Sequence, residues 1–192
     1  MRIVIDMQGA QSESQFRGIG RYTMSFTQAI ARSRGEHEII LALNGLFPDT
    51  IEPIRAAFEG LLPQENIRVW NAPGPVDYVS APKWRRDIAE HIREYFLAHL
   101  EPDLVLITSL FEGLVTNAVT SIQGTSRNTP TAVILYDLIP YIHRKPYLEN
   151  PVNEKWYLNK LDHLRRADLF LSISEASRQD GIRYLGIDER SV

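Results

Sequence analysis

The sequence predicts a doubly wound α/β domain built around a mostly parallel sheet, and two observations carry this prediction. Six short runs rich in Val, Ile and Leu recur along the 192 residues, and segments with helical periodicity separate most of them. The apolar runs are continuous rather than alternating, which is typical of strands buried on both faces in parallel sheets. Alternation of such strands with helices gives a layered sheet joined by right-handed crossovers.

The elements follow in chain order from these patterns. The predicted strands are residues 2–7, 38–43, 66–70, 103–108, 131–136 and 168–173. Four helices are predicted from apolar stripes at helical spacing. The stripes are Ile19, Tyr22, Phe26 and Ile30; Ile51, Ile54, Phe58 and Leu61; Ile88, Ile92, Tyr95 and His99; and Tyr157, Leu161 and Leu164. A weaker helical pattern covers residues 175–185, and proline and glycine fall between the elements.

Two segments do not fit a simple alternation. Residues 109–129 are long for a connector in such a fold, and long connectors are often functional. The last residues, GIDERSV, look like a loop entering a further strand. We therefore expect residues 1–192 to form one domain of a longer protein.

Composition excludes several classes of protein. The net charge of −3 and a pI near 6.0 do not favour binding to nucleic acid. The absence of cysteine excludes disulfide scaffolds, thiolate zinc sites and thiol catalysis. The opening apolar run is broken by Asp6 and lacks the pattern of a signal peptide, and no run is long enough to span a membrane. We expect a cytoplasmic protein.

Two basic stretches, residues 83–86 and 163–166, lie near aromatic residues. Such stretches are typical of solvated helix faces, and peripheral contact with a membrane surface is the alternative. The sequence shows no His, Asp and Glu cluster with metal-ligand spacing, so we expect no metal site.

A glycine-rich turn precedes the first predicted helix. Gly18 and Gly20 allow close backbone approach, and Arg21 adds positive charge beside the free N–H groups of a helix N-terminus. This arrangement suits a phosphate, whereas a flexible loop that merely starts a helix is the alternative. The turn lacks the third glycine of a dinucleotide-binding fingerprint, because Thr23 occupies that position, and it lacks a Walker lysine.

Two further stretches follow predicted strands, at the sheet edge where ligands bind in open α/β folds. Asp137 comes directly after the fifth strand and is interpreted as either a cleft residue or a turn aspartate. His143 lies further along this loop, as a ligand-binding or simply exposed side chain. Ser174 and Glu175 follow the sixth strand, where Ser174 and Ser177 also match an N-cap pattern.

At these three stretches the sequence resembles the N-terminal half of the group 1 (family 4 type) retaining glycosyltransferases, which have the GT-B fold. The resemblance is carried by GIGRY after the first strand, by DLIP at 137–140 and by SISEASRQD at 172–180, and it extends over essentially the whole chain. The histidine that many relatives carry before the aspartate of the DLIP-like stretch is replaced here by Tyr136.

The resemblance implies one half of a GT-B fold, a Rossmann-like domain that mainly receives the acceptor. A C-terminal domain of the same protein then binds the nucleotide sugar and carries two glutamates with seven residues between them. No two glutamates with that separation occur in this chain. The implied reaction is transfer of a hexose, with mannose as the first candidate, to a glycan or lipid-linked acceptor in surface-polysaccharide synthesis. Asp137 and Tyr136 take the catalytic positions, and no cofactor or metal is expected.

Two other functions remain open at this point. A non-catalytic α/β ligand-binding module is one, although Asp6 is not followed by the acidic cluster of a receiver domain. An NAD-dependent sugar epimerase is the other, although the third glycine and a YxxxK pattern are missing. A second strand-helix pattern with the glutamate pair, beyond Val192, would favour the transferase.

Overall fold

The computed structural model describes residues 1–124 and 129–192 and contains a six-stranded, fully parallel sheet. The strands are β1 (Arg2–Asp6), β2 (Glu38–Asn44), β3 (Ile67–Trp70), β4 (Leu104–Ile107), β5 (Thr131–Leu135) and β6 (Leu169–Ser172). Their order across the sheet is β3-β2-β1-β4-β5-β6, which is the Rossmann-like order. The predicted fold class and all six strands are confirmed, with strand ends within one residue of the prediction.

Seven α-helical segments lie around the sheet in the described part of the chain. They are α1 (Gly18–Arg32), α2 (Pro48–Ala57), α3 (Lys83–His99), α4 (Ile139–Ile142), α5 (Arg144–Tyr147), α6 (Pro151–Leu164) and α7 (Glu175–Asp180). A π-helical turn, Gly181–Leu185, continues α7, so the weak pattern at 175–185 is helical throughout. No helix among these is long and apolar enough to cross a membrane.

Two hydrophobic cores lie on the two faces of the sheet. One packs Ala31 of α1 and Ile54 of α2 against β1 and β2, and the other packs Leu97 of α3 and Leu161 of α6 against β4 and β5. The strand order reverses between β1 and β4, because β2 and β3 are added on one side of β1 and β4, β5 and β6 on the other. In such folds ligands bind at this switch point, beyond the carboxyl ends of the strands.

The helix face predicted for α3 is wrong, and the face predicted for α1 is confirmed only in part, since Phe26 and Ile30 pack against the core while Tyr22 is exposed. In α3, Ile88 and Tyr95 were expected to face the core, but they are 45% and 73% exposed, and Arg93 lies in the interior instead. In α1 the buried positions are the small residues Gly20, Thr23, Thr27 and Ala31, while the larger side chains of the predicted stripe flank them. The stripe predicted for α6 is confirmed, because Tyr157, Leu161 and Leu164 are all buried.

Arg93 is buried because it pairs with a carboxylate of the sheet. Its Nε donates to Asp6 Oδ2 at 2.7 Å, its Nη2 also contacts that oxygen, and its Nη1 donates to the carbonyl oxygen of Ser121 at 3.0 Å. Asp6 and Arg93 are 1% and 0% exposed, respectively. A buried charge persists only when it is paired and hydrogen-bonded, and this pair meets that condition.

A buried amide network joins the long connector after β4 to the carboxyl ends of β1 and β2. Gln8 Nε2 donates to the carbonyl of Val119 at 2.6 Å, and Gln8 Oε1 accepts from the Val119 N–H at 2.8 Å. Asn44 Nδ2 donates to the same Gln8 oxygen at 2.9 Å. The connector is irregular over residues 108–124, yet these bonds fix it against the sheet.

Candidate functional site

The three stretches singled out in the sequence meet at the carboxyl edge of the sheet. The rings of Tyr22, in the second turn of α1, and Tyr136, after β5, lie 5.9 Å apart in an edge-to-face arrangement. Ser177 Oγ of α7 donates to the carbonyl oxygen of Tyr136, and the Ile173 N–H donates to the Leu135 carbonyl at 3.1 Å. The first turns of α1, the end of β5 and the start of α7 are therefore neighbours.

The N-terminus of α1 is open toward solvent. The helix begins at Gly18, and Arg17 at the N-cap position makes no side-chain cap bond. Gly18 and Arg21 are exposed, and a Cβ added to Gly18 would meet no other heavy atom within 4 Å. Backbone N–H groups at such a helix end, with the helix dipole behind them, can bind an anion.

Gly20 has a packing role that the sequence did not reveal. It is buried, and a Cβ at this position would lie 2.3 Å from Gln15 Cα and 2.4 Å from the carbonyl oxygen of Ser14. Only glycine lets the short 3₁₀ turn Glu13–Phe16 cross the helix this closely. Its predicted contact with phosphate stays a prediction, and Gly18 is the glycine with open space around it.

Asp137 and Tyr136 differ in exposure. Asp137 is exposed, and its Oδ1 accepts a hydrogen bond from the Ile139 N–H at 3.0 Å, which is the turn geometry considered above. Burial raises the pKa of Tyr136 to about 12, so its phenol is neutral at ordinary pH. The phenol oxygen of Tyr136 is thus buried, whereas the neighbouring Asp137 is exposed at the sheet edge.

Ser174 caps α7, as the alternative interpretation expected. Its Oγ accepts from the Ser177 N–H at 3.1 Å. Glu175 is exposed, and the hydrogen bond from Gln179 and the nearby Arg178 guanidinium lower the pKa of its carboxyl. His143 is exposed between α4 and α5. A ligand-binding role for Ser174, Glu175 and His143 stays a prediction.

A buried carboxylate that the sequence reasoning missed lies next to the glycine-rich turn. Glu112 is 7% exposed and accepts hydrogen bonds from Ser12 at 2.7 Å, Ser14 at 2.6 Å and Ser109 at 2.8 Å. Ser14 belongs to the turn that crosses Gly20, so Glu112 ties the connector to the start of α1. The sequence features that could have indicated this contact are a glutamate shortly after a predicted buried strand and a serine-rich segment after the first strand.

On its other side Glu112 borders a cavity of about 270 Å³ between α3, α6 and the connector. Six residues carry its chemistry: Tyr78, Glu90, Glu112, Thr120, Trp156 and Lys160. Lys160 is 6% exposed and donates from Nζ to the carbonyl and hydroxyl oxygens of Thr120 at 2.6 and 2.7 Å. Burial lowers the pKa of Lys160 to about 8, and burial also raises the pKa of the Glu90 carboxyl.

Within residues 1–124 and 129–192, no three His, Asp or Glu side chains are close enough to hold a metal ion. The arrangement consists of a helix N-terminus open to solvent, the exposed carboxylate of Asp137 and a polar cavity bordered by Glu112. These groups can position substrates and stabilise charge by hydrogen bonding.

Comparison with known proteins gives a consistent family. The model of "Glycosyltransferase Family 4" matches residues 16–192. A protein named serotype-specific mannosyltransferase WbdA, from Escherichia coli, is 35% identical over 189 residues, covering 97% of this chain and 22% of that protein. A second protein of that name and organism is 31% identical over 163 residues, covering 84% and 20%. The chain thus spans about a fifth of the length of these curated relatives.

Among solved structures, the UDP-GlcNAc 2-epimerase from Neisseria meningitidis bound to UDP-GlcNAc superimposes with a TM-score of 0.54 at 12% identity. The alignment covers 100% of this chain and 46% of that structure. At this identity the likeness shows the fold alone, a Rossmann-like domain of the GT-B-like kind. With the family model matched over residues 16–192 and three relatives at 30% identity or more, the chain belongs to glycosyltransferase family 4.

Proposed function

We propose that this chain is the acceptor-side domain of a retaining glycosyltransferase. The full protein transfers a hexose, mannose in the first instance, from a nucleotide sugar to a glycan or lipid-linked acceptor during surface-polysaccharide synthesis. A second domain of the same protein supplies most contacts to the donor, as the family resemblance implies. The names of the E. coli relatives support mannose as the sugar.

The observation that carries this proposal is the meeting of the three family stretches at one edge of the sheet. The Tyr22 ring of α1 packs against the Tyr136 ring, and the backbone carbonyl of Tyr136 accepts a hydrogen bond from the Ser177 hydroxyl of α7. Family membership over residues 16–192 supports the reaction class, and the convergence is the reason for proposing the site at this edge. Strand ends meet at one edge in any open parallel sheet, so family membership is what favours a transferase over a non-catalytic module.

Each residue has a role in this proposal that follows from its surroundings. Transfer from a nucleotide diphosphate sugar builds negative charge on the leaving diphosphate and positive charge on the sugar ring. The free N–H groups at Gly18 and the nearby Arg21 suit the diphosphate. The exposed carboxylate of Asp137 suits the positively charged sugar. The phenol oxygen of Tyr136 is buried, so Tyr136 has a positioning role at this edge through its ring contact with Tyr22.

The test is a transfer assay on the full-length protein with a panel of nucleotide sugars and a mannosyl acceptor. We expect turnover with one nucleotide hexose, and a product whose new linkage keeps the anomeric configuration of the donor, read by NMR. Asp137→Asn is expected to lower kcat at least about tenfold, because it removes a charge from the reacting edge. Asp162→Asn is the matched control, since Asp162 is exposed on α6 and pairs only locally with Arg165.

The outcomes separate the parts of the proposal. No turnover with any nucleotide sugar would contradict the transferase function, and an inverted linkage would contradict retention alone. Full activity in Asp137→Asn, or an equal loss in Asp162→Asn, would remove Asp137 from the site.

A further inference from the structure

We propose that the cavity between α3, α6 and the connector binds a hexose unit of the acceptor glycan. That the sugar belongs to the acceptor rests on the proposed function, whereas binding of a sugar is inferred from the residues that line the cavity. The space measures about 270 Å³ and has both aromatic and polar walls, formed in part by Tyr78, Trp156, Glu90 and Lys160. Small-molecule sites have this character, with apolar surface and a few fixed polar groups.

The cavity wall contains a hydrogen-bond donor that the described residues do not use. Lys160 donates two of its three N–H bonds to Thr120 and makes no other hydrogen bond to the described residues. The lysine is 6% exposed, and buried polar groups are nearly always paired, so its unused donor indicates a ligand with an acceptor oxygen. Trp156 also lines the cavity, but its buried indole nitrogen is not exposed to that space.

Cations and carboxylates are mixed in the cavity wall, which contains Lys83, Arg86, the exposed Lys155 and Lys160 together with Asp87, Glu90 and Glu112. Lys83 is neutralised by Asp87 at 2.7 Å. The Arg86 guanidinium is held by backbone carbonyl oxygens and lies 4.2 Å from the centre of the Tyr78 ring. Lys160, the buried cation, faces the carboxylate of Glu90, which raises the pKa of the lysine against the effect of burial. A mixture of cations and carboxylates suits a sugar, whose hydroxyls both donate and accept, better than an anion.

The position of the cavity suits an acceptor. Glu112 lies in its wall, and the same carboxylate is bonded to Ser14, whose backbone touches Gly20 of the glycine-rich turn. The cavity is therefore linked to the start of α1, where the diphosphate site is proposed, through Glu112 and the turn that contains Ser14.

The experiment is a ligand-observed NMR titration of the 192-residue chain with α-mannobiose and, separately, with inorganic phosphate. We expect saturable binding of mannobiose and no comparable binding of phosphate. Trp156→Phe replaces the indole of the cavity wall with a smaller phenyl ring, and the lost contact area should weaken mannobiose binding by about fivefold. Lys160→Met should weaken it by about tenfold or more, because a charged donor is lost.

Two further variants serve as a control and as a replacement for a variant that fails to fold. Trp84→Phe changes a 59% exposed tryptophan outside the cavity wall and should leave binding unchanged. Asn159→Ala changes an exposed residue of the wall and should weaken binding with little risk to folding, should Lys160→Met fail to fold. Thermal melting of each variant separates lost binding from lost structure.

Two results would overturn the inference. One is the absence of mannobiose binding by the folded chain, or binding that Trp156→Phe and Asn159→Ala leave intact. The other is binding of inorganic phosphate that is tighter than that of mannobiose. Both are distinct from failure of the proposed function, because binding is measured without a donor and without turnover.

Discussion

The two glycines of the GIGRY turn should respond to substitution in opposite ways. A Cβ on Gly20 would lie 2.3 Å from Gln15 Cα and 2.4 Å from the Ser14 carbonyl oxygen, and backbone atoms cannot rotate away as a side chain can. A Cβ on Gly18 would meet no heavy atom within 4 Å. We therefore expect Gly20→Ala to destabilise the chain and Gly18→Ala to leave its stability unchanged or slightly higher.

The size of the effect follows from the overlap. Relieving it requires the turn at residues 13–16 to move by about 1 Å or more, and overpacking of this kind costs roughly 1–3 kcal/mol. For a domain of this size, each kcal/mol lowers the melting temperature by about 2–4 °C, so Gly20→Ala should melt about 3–10 °C lower. Gly18→Ala gains helix propensity of up to about 1 kcal/mol, since alanine replaces glycine at a helical position.

Thermal unfolding of the 192-residue chain, followed by circular dichroism, measures both variants. A melting temperature for Gly20→Ala within 1 °C or so of the parent would refute the packing argument. In the full-length protein, Gly18→Val should raise KM for the nucleotide sugar without lowering the melting temperature. An unchanged KM there would refute the phosphate role of the turn.

Three further outcomes are expected. Arg93→Met should cost about 3–5 kcal/mol in unfolding free energy, because it leaves the Asp6 carboxylate buried without its partner, and Asp6→Leu added to it should restore part of the loss in a denaturant titration. Burial lowers the pKa of His163 to about 4 in the folded chain. Between about pH 6.5 and pH 4, His163 therefore binds a proton in the unfolded chain but not in the folded chain, and the free energy of unfolding should fall by up to about 3 kcal/mol over that range. His163→Gln should flatten that pH dependence, and the same change at the exposed His91 should not. The 192-residue chain should fold but transfer no sugar on its own, and any product in a sensitive assay would contradict the two-domain proposal.

The strands could be read from the sequence because burial on both faces leaves a continuous apolar run. The helix faces could not be read as reliably. In α1 the buried side is made of small residues such as Gly20 and Ala31, which allow close packing, whereas apolar periodicity selects the larger side chains. In α3 the buried positions include Arg93 beside Ala89 and Leu97. Arg93 is buried because a carboxylate 87 positions away in sequence pairs with it, and helical periodicity contains no information about that partner.

The candidate site was predictable in part for the same reason. Asp137 and Ser174 follow strands directly, so their place at the sheet edge follows from topology. Glu112 depends on Ser12 and Ser14, which lie about a hundred residues earlier. The cavity likewise depends on how α3, α6 and the connector pack together, and no local pattern specifies that.

The crossover from β4 to β5 has a consequence for how such proteins diverge. A helix usually fills the space beside two adjacent parallel strands. Here the described part of the crossover is irregular, and the cavity lies between it and the flanking helices α3 and α6. The volume of the cavity is thus set partly by the length and sequence of a loop rather than wholly by the core. Loops tolerate insertion and deletion, so lineages can remodel this cavity while the sheet stays intact.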